Sequence, residues 1–334
     1  MHNDSSVQYW RYSILRLVIL LFILVVLFYF LSWSIKPKPI LRVATDIWTG
    51  YESFYLARSL GYYENAPIRL VEMTSTSQKL HAIRNGTIDA TALTLDETLS
   101  QIQDHNFNVK IVLVIDISNG ADALVTKPGI KNLADLRNKK IGFENTATST
   151  IVFDAALDHA GIDINEVKIV PLRVNEHLLA WKKNEVDAVV TFDPVRTEII
   201  NLGGQVLFDS AQIPGRIMDV LIVRTEVLDQ HEVALKTLIA GHFAALKYLS
   251  ENPTDASKRM AGRLSTEADK ILPQFKLIKQ PNLEENLEWL SGTNPALQKT
   301  AHELAHLMFQ HHLLQHRITF DNLCDAKFLS NAHQ

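Results

Sequence analysis

Three features of the 334-residue sequence predict an α/β fold of two lobes. From Ile40 onward, short apolar runs alternate with amphipathic segments, as strands followed by helices do. The run 109–115 is apolar throughout, as a strand covered on both faces must be. Residues 82–93 (AIRNGTIDATAL) are echoed at 181–192 (WKKNEVDAVVTF), with Asp89 and Asp187 in matching places. The echo reads either as two similar lobes facing a cleft or as a pair of common helix-to-strand turns.

The elements follow in order. The strand 40–44 breaks at Asp46 into a loop holding Gly50, and a helix over 53–60 closes on Gly61. A strand over 68–73 ends in the polar loop 74–77. The helix 78–85 closes on Gly86 and precedes the short buried strand 90–93. Asp96 is placed to cap the next helix, which runs to about residue 104. After the strand 109–115 come a strand at 140–143, the hydroxyl-rich loop 146–149 and a helix over 150–160 ending on Gly161. The series continues with a strand at 167–172, a helix at 176–184, a strand at 188–192 and a helix at 194–202. Beyond a strand at 220–223 the chain turns mostly helical over 232–329, punctuated by Pro253, Pro273, Pro281 and Pro295. The chain is expected to cross between lobes near 116–122 and again near 215–219. This gives a stub and anchor over 1–35, a first lobe over 36–122, a second over 123–217, and a return with C-terminal helices over 218–334.

The anchor is the uncharged run 17–33 (LVILLFILVVLFYFLSW), preceded by Arg11 and Arg16. Its length lies between a signal-peptide core and a full membrane helix. Only Ser32 and Ser34 offer small residues for cleavage, with Trp33 between them, so an uncleaved anchor is favoured. Tyr29, Phe30 and Trp33 suit an interfacial belt. Lys36, Lys38 and Arg42 weaken the charge bias that would orient it. Pro37 and Pro39 make a short stiff tether.

A formal charge of −4 gives no basic footprint for nucleic acid. The single cysteine, Cys324, excludes a disulfide framework within the chain and a Cys-rich metal site. It also leaves no acylation cysteine after the apolar run.

Residues 44–63 (ATDIWTGYESFYLARSLGYY) resemble the first strand and helix of the solute-binding proteins of nitrate, sulfonate, taurine and thiamine-precursor ABC importers. Further pieces occur in the family's order. GYYENAPIRLVEMTSTSQKLHAIRNGTIDATALTLDETL is similar to its first-lobe run. ALVTKPGIKNLADLRNKKIGFENTATST is similar to its next region, with Asn138 where Gly is usual, and TFDPVRTEIINLGGQVLFDS to its later Asp/Glu-Pro helix start. The resemblance covers residues 40–328. It implies a bilobal type II periplasmic-binding-protein fold, no enzymatic activity and no cofactor. It also implies an ABC permease or other inner-membrane partner and a binding domain in the periplasm; with the anchor over 17–33, the expectation is single-pass attachment to the inner membrane.

That fold builds its pocket from loops at the carboxyl ends of strands. Carried onto this sequence, the ligand-binding candidates are Trp48, Thr49, Tyr51, Thr74, Ser75, Thr94, Asp116, Thr148, Ser149, Asp193 and Asp219. Trp48 and Tyr51 can enclose an apolar part, and the hydroxyls with helix N-terminal amides can hold a polar head. The acidic candidates, without a clustered Arg/Lys pocket, point to an amine-bearing or zwitterionic ligand rather than a bare oxyanion. Each has a plainer reading. Trp48 can simply cover the sheet end, and residues 74–77 can cap a helix. Asp193 before Pro194 fits an N-cap, and Asp116 fits a hinge hydrogen bond.

A competing motif is HELAH at 302–306, which matches the HExxH zinc-peptidase pattern. His302 and His306 would ligate, Glu303 would act as base, and His312 falls at the spacing of a third ligand. Phe309 stands where the longer pattern needs Gly. Ala301, Leu304, Ala305 and Met308 make one apolar face. Thirteen histidines also make a chance match easy, so no metal site is expected. Thiamine-precursor synthases of similar fold carry a cysteine-rich segment, which Cys324 alone does not supply.

Overall fold

The computed structural model describes residues 4–34, 39–103 and 107–329. The chain forms two compact units, residues 1–39 and 40–334.

The first unit is the helix α1 (Asp4–Ser34), 31 residues long. Beyond the exposed Arg16, its described side chains from Leu17 to Tyr29 are apolar around the whole circumference, with Leu17 63% and Phe22 69% exposed. The apolar run expected over 17–33 continues past these side chains. Among the described residues, no helix is long and apolar enough to cross a membrane. The tether expected around Pro37 lies outside the described residues.

The second unit contains two mixed sheets. The first uses β1 (Leu41–Thr45), β2 (Ile68–Glu72), β3 (Ala90–Thr94), β4 (Val109–Ser118), β10 (Met218–Arg224) and β11 (Ile278–Lys279), in the order β11-β4-β10-β3-β1-β2. The second uses β5 (Asp122–Thr126), β6 (Lys140–Phe143), β7 (Lys168–Pro171), β8 (Ala188–Phe192) and β9 (Gln205–Asp209), in the order β7-β6-β8-β5-β9. In each sheet four strands run in one direction and one inner strand, β10 or β5, lies antiparallel to both its neighbours; in the first sheet β11 also pairs antiparallel, with β4. That reversed inner strand is the one that has just crossed from the other sheet: β5 on the way out, β10 on the return. The two α/β lobes are therefore built to one plan.

The buried centre strands carry the apolar runs. Leu41, Val43 and Ala44 of β1, and all of β3, are buried. Three strands were not legible as such. β5 begins on a buried carboxyl and β9 on Gln205, while β11 has only two residues, so none shows a clean period.

Helices follow the strands at their carboxyl ends. They are α2 (Glu52–Ser59), α3 (Thr76–Arg84) and α4 (Leu95–Ile102) in the first lobe, and α5 (Ala147–Ala160), α6 (Val174–Lys182) and α7 (Val195–Asn201) in the second. Two starts differ from expectation for the same reason. Ser75 Oγ accepts the Gln78 amide at 3.4 Å, so α3 begins earlier than residue 78. Thr94, not Asp96, caps α4, accepting the Glu97 amide at 3.4 Å. In both cases the hydroxyl nearer the strand end satisfies the orphan amides first.

The C-terminal region supplies α8 (Glu232–Glu251), α9 (Pro253–Ala261), α10 (Ile271–Phe275), α11 (Leu283–Leu290) and α12 (Ala296–Gln310). They close the first lobe's core around fully buried Leu235, Leu238, Ile271 and Leu297. Asn286 of α11 accepts the Val114 amide at 2.7 Å and donates to the Val114 carbonyl at 3.1 Å, supplying partners beside an irregular step in the β4–β10 ladder.

Candidate functional site

Because β1, β3, β6 and β8 run parallel within their sheets, their trailing loops collect between the lobes. Crossings at 119–121 and 213–217 hold the two halves together. Ser118 Oγ and Ser210 Oγ lie 2.7 Å apart, and the Gly120 amide donates to Ser210 Oγ at 2.7 Å. Gly120 has φ +108°, a backbone state that side chains rarely adopt.

The lobes meet across further hydrogen bonds. Glu144, at the end of β6, accepts from the Ser77 amide at 3.0 Å and from Ser77 Oγ at 2.6 Å. Thr148 Oγ1 donates to Asp96 Oδ2 at 2.7 Å and lies 2.7 Å from Thr94 Oγ1. These contacts hold a closed arrangement around a cleft of about 420 Å3, counted to its open mouth.

Six sequence-predicted residues line this cleft: Trp48, Tyr51, Thr94, Thr148, Ser149 and Asp219. Trp48 Nε1 donates to Asp116 Oδ2 at 3.0 Å, and its ring meets Phe192 edge-on at 5.6 Å. A Cβ at Gly50 would collide with both the Asp116 carboxyl and the indole nitrogen, so glycine is required there. The Tyr51 hydroxyl donates to Asp219 Oδ1. Burial, followed by the nearby Asp219 charge, pushes the phenol well up.

The other five do not line it. Thr49 Oγ1 is turned to Gln274 Oε1 at 2.7 Å. Thr74 is exposed, and Ser75 is committed to its helix cap. Asp116 lies one step behind Trp48. Asp193 accepts the Thr197 amide at 3.0 Å and Thr197 Oγ1 at 2.5 Å, with Arg196 Nη1 at 3.7 Å, which is the capping role.

The sequence reading missed Asp46, Lys79, Glu97 and Glu144 as lining groups, whereas Asp122, which also lines the cleft, ends the loop 116–122 that it counted among the pocket loops. Lys79 matters most, because no basic residue was expected there. Its Nζ donates to Asp46 Oδ1 at 2.8 Å and to the Ala92 carbonyl at 3.0 Å, and it lies 5.0 Å from the Tyr51 ring centre. The only available signal was its place one turn into α3.

The cleft is strongly acidic. Asp116 and Asp219 are paired in register across β4 and β10. Carboxyls held side by side disfavour each other's ionisation. Burial, with that repulsion added, pushes Asp116 well up. Burial raises Asp219 to about 7 against the Tyr51 hydrogen bond, and Asp122 to about 8. Asp96 rises to about 6, and Glu97 well above its ordinary value, again from burial first.

The HELAH segment lies on α12. His302 and His306 are exposed, and His302 stacks on Phe320 at 4.4 Å and 8°. Among the described residues, no group of three or more His, Cys, Asp or Glu side chains could hold a metal ion. Cys324 does not line the cleft; it is buried in a bridge to Ile111, and burial pushes its thiol up to about 12.

Comparison with known proteins places this architecture. The chain is 27% identical over 148 residues to the taurine-binding periplasmic protein of Escherichia coli K12, covering 43% of this chain and 46% of that protein. The chain thus spans about half the length of this curated relative. In fold it is similar to the alkanesulfonate-binding protein SsuA from Xanthomonas axonopodis pv. citri bound to MOPS. That match has a TM-score of 0.70 at 16% identity, over 85% of this chain and 96% of that one. The desulfurization enzyme DSZB is also similar, with a TM-score of 0.62 at 14% identity over 88% and 99%. The profile of the family described as NMT1/THI5 like matches residues 48–256. With a bilobal α/β periplasmic-binding-protein fold and a profile match over more than half its length, this chain belongs to the NMT1/THI5-like family.

Proposed function

We propose that the protein is a membrane-tethered, extracytoplasmic solute-binding protein that captures a small amine-bearing or zwitterionic molecule for an ABC importer. The carrying observation is the acid-lined cleft between two lobes bridged by Ser77–Glu144 and Thr148–Asp96. Its strand-end loops suit non-covalent capture by lobe closure. The lobes comprise residues 36–122 with 218–334, and 123–217. We read β10 inserted between β3 and β4 as the type II arrangement. Trp48, Tyr51, Thr94, Thr148, Ser149 and Asp219 would touch the solute. Taurine, named for the E. coli relative, and pyrimidine-like amines are of the right class.

The apolar circumference of α1 supports the tether. Such a helix satisfies its own backbone and needs lipid around its side chains. On this reading the chain is single-pass in the inner membrane, and residues 40–334 face the periplasm.

A second reading is a sensor or adaptor that reports the same solute to a membrane partner, a role that a tether also suits. Enzymatic turnover is the weaker alternative, since Cys324 does not line the cleft and HELAH lies on an exposed helix face. The test is a thermal-shift screen of the purified protein against amines, sulfonates and pyrimidines. Stabilisation by a small solute, without its chemical conversion, supports capture. Turnover of a stabilising solute would overturn it.

A further inference from the structure

Asp122 opens β5 at the base of the cleft. It is 7% exposed and lines the cavity, and its Oδ2 has no hydrogen-bond partner among the described residues. A buried carboxylate must be neutralised by a proton or by a cation. The surrounding groups do not supply the cation. Asp116 on β4 and Asp219 on β10 are acidic, as are Asp96 and Glu97 on α4 and Glu144 after β6. Lys79 on α3 is committed to Asp46 after β1. Arg196 on α7 stands beside Asp193. Asp209 on β9 adds another acid near the crossing, close to Gly120.

Resting on the solute-capture reading, we infer that Asp122 is the residue that selects a positively charged group, and that this cation replaces a proton held by Asp122 when no solute is present. The ligand class is a primary ammonium or an amidinium. The exchange balances as R–NH3+ plus protein–COOH giving protein–COO−···+H3N–R plus a proton released to solvent. No bond forms within the solute. The aromatic wall of Trp48 and Phe192 takes the apolar part. A sulfonate placed at Asp122 would meet the Asp122 carboxyl and the acids around it, with Lys79 already paired. Burial, which pushes Asp122 to about 8, fits a group that holds its proton near neutrality until a cation arrives.

The test is titration calorimetry on the full chain in detergent, with propylamine, agmatine, taurine and propane-1-sulfonate as probes. Each is run at pH 6, 7 and 8 in two buffers of different ionisation enthalpy. Amine-bearing probes are expected to bind with release of up to one proton at pH 7. Their affinity should rise from pH 6 to 8 by up to about tenfold per unit. Asp122→Asn should abolish the proton release and flatten the pH profile, while Asp122→Glu retains both. The proton count on the unaltered chain needs no variant, so misfolding of either one leaves the test intact. Amine binding with no proton released and no pH dependence would overturn the inference. So would preference for propane-1-sulfonate, which would leave solute capture standing. Failure of all four probes would count against both.

Discussion

Lys79 and Asp46 form an ion pair at 2.8 Å with each side chain only 2% exposed. The pair joins α3 to the loop after β1 and fixes one wall of the cleft. Removing one member strands the other as a buried charge, which is strongly destabilising, whereas removing both is far milder. Lys79→Met is therefore expected to lower unfolding free energy by about 3–5 kcal/mol. The double variant Lys79→Met/Asp46→Asn should recover most of that loss. Urea denaturation of the three proteins checks it, and equal loss in both variants would refute the pairing argument.

Stability should fall as pH rises through neutrality. Asp219 and Asp122 are raised to about 7 and about 8, against unfolded values near 4. The folded chain holds these protons longer than the unfolded chain does. Their contribution is therefore complete below about pH 4 and is withdrawn up to the folded values, by at most about 1.4 kcal/mol per pH unit and group. Thermal unfolding from pH 5 to 8 without solute should show a declining Tm. Asp122→Asn should make the decline shallower, and a Tm that rises across this window would contradict the buried-acid reading.

Asp193 and Trp48 should separate cleanly. Asp193→Ala removes the α7 cap and should cost about 0.5–2 kcal/mol of stability with solute affinity unchanged. Trp48→Ala removes the aromatic wall and the donor to Asp116, and should weaken binding by about 1–3 kcal/mol. Calorimetry with a solute found by thermal shift distinguishes them; an affinity loss in Asp193→Ala would place that residue in the site.

The Ser77–Glu144 contact should bias the lobes toward closure. Losing one part-buried hydrogen bond costs about 0.5–1.5 kcal/mol, so Ser77→Ala should shift the open-to-closed ratio by roughly two- to ten-fold. Small-angle scattering without solute should then report a larger radius of gyration. An unchanged radius would mean that the contact does not control closure.

Membrane attachment is checked by fractionation. The full chain is expected in the membrane pellet after an alkaline wash, and a chain starting at Ile40 in the supernatant. Release of the full chain, or a mature N-terminus near residue 35, would rule out the tether.

Local chemistry in the sequence was enough for the alternation of strands and helices and for the relation between the lobes. Asp89 accepts the Arg42 amide at 2.8 Å and Asp187 accepts the Lys140 amide at 2.9 Å, both across a separation of 47 residues. Each carboxylate follows a helix and pins the central parallel strand of its own sheet. A repeated turn with one polar group carries that instruction locally, so the echo at 82–93 and 181–192 was readable. The polar content of the cleft was not. Lys79 looks like any solvated lysine until β1 and β3 bring Asp46 and the Ala92 carbonyl to it. Asp122 looks like a loop residue until β5 pairs with β8 and β9 and turns it inward. Sequence period reports which residues avoid water. Which buried charges meet is decided only when strands far apart in the chain are set side by side.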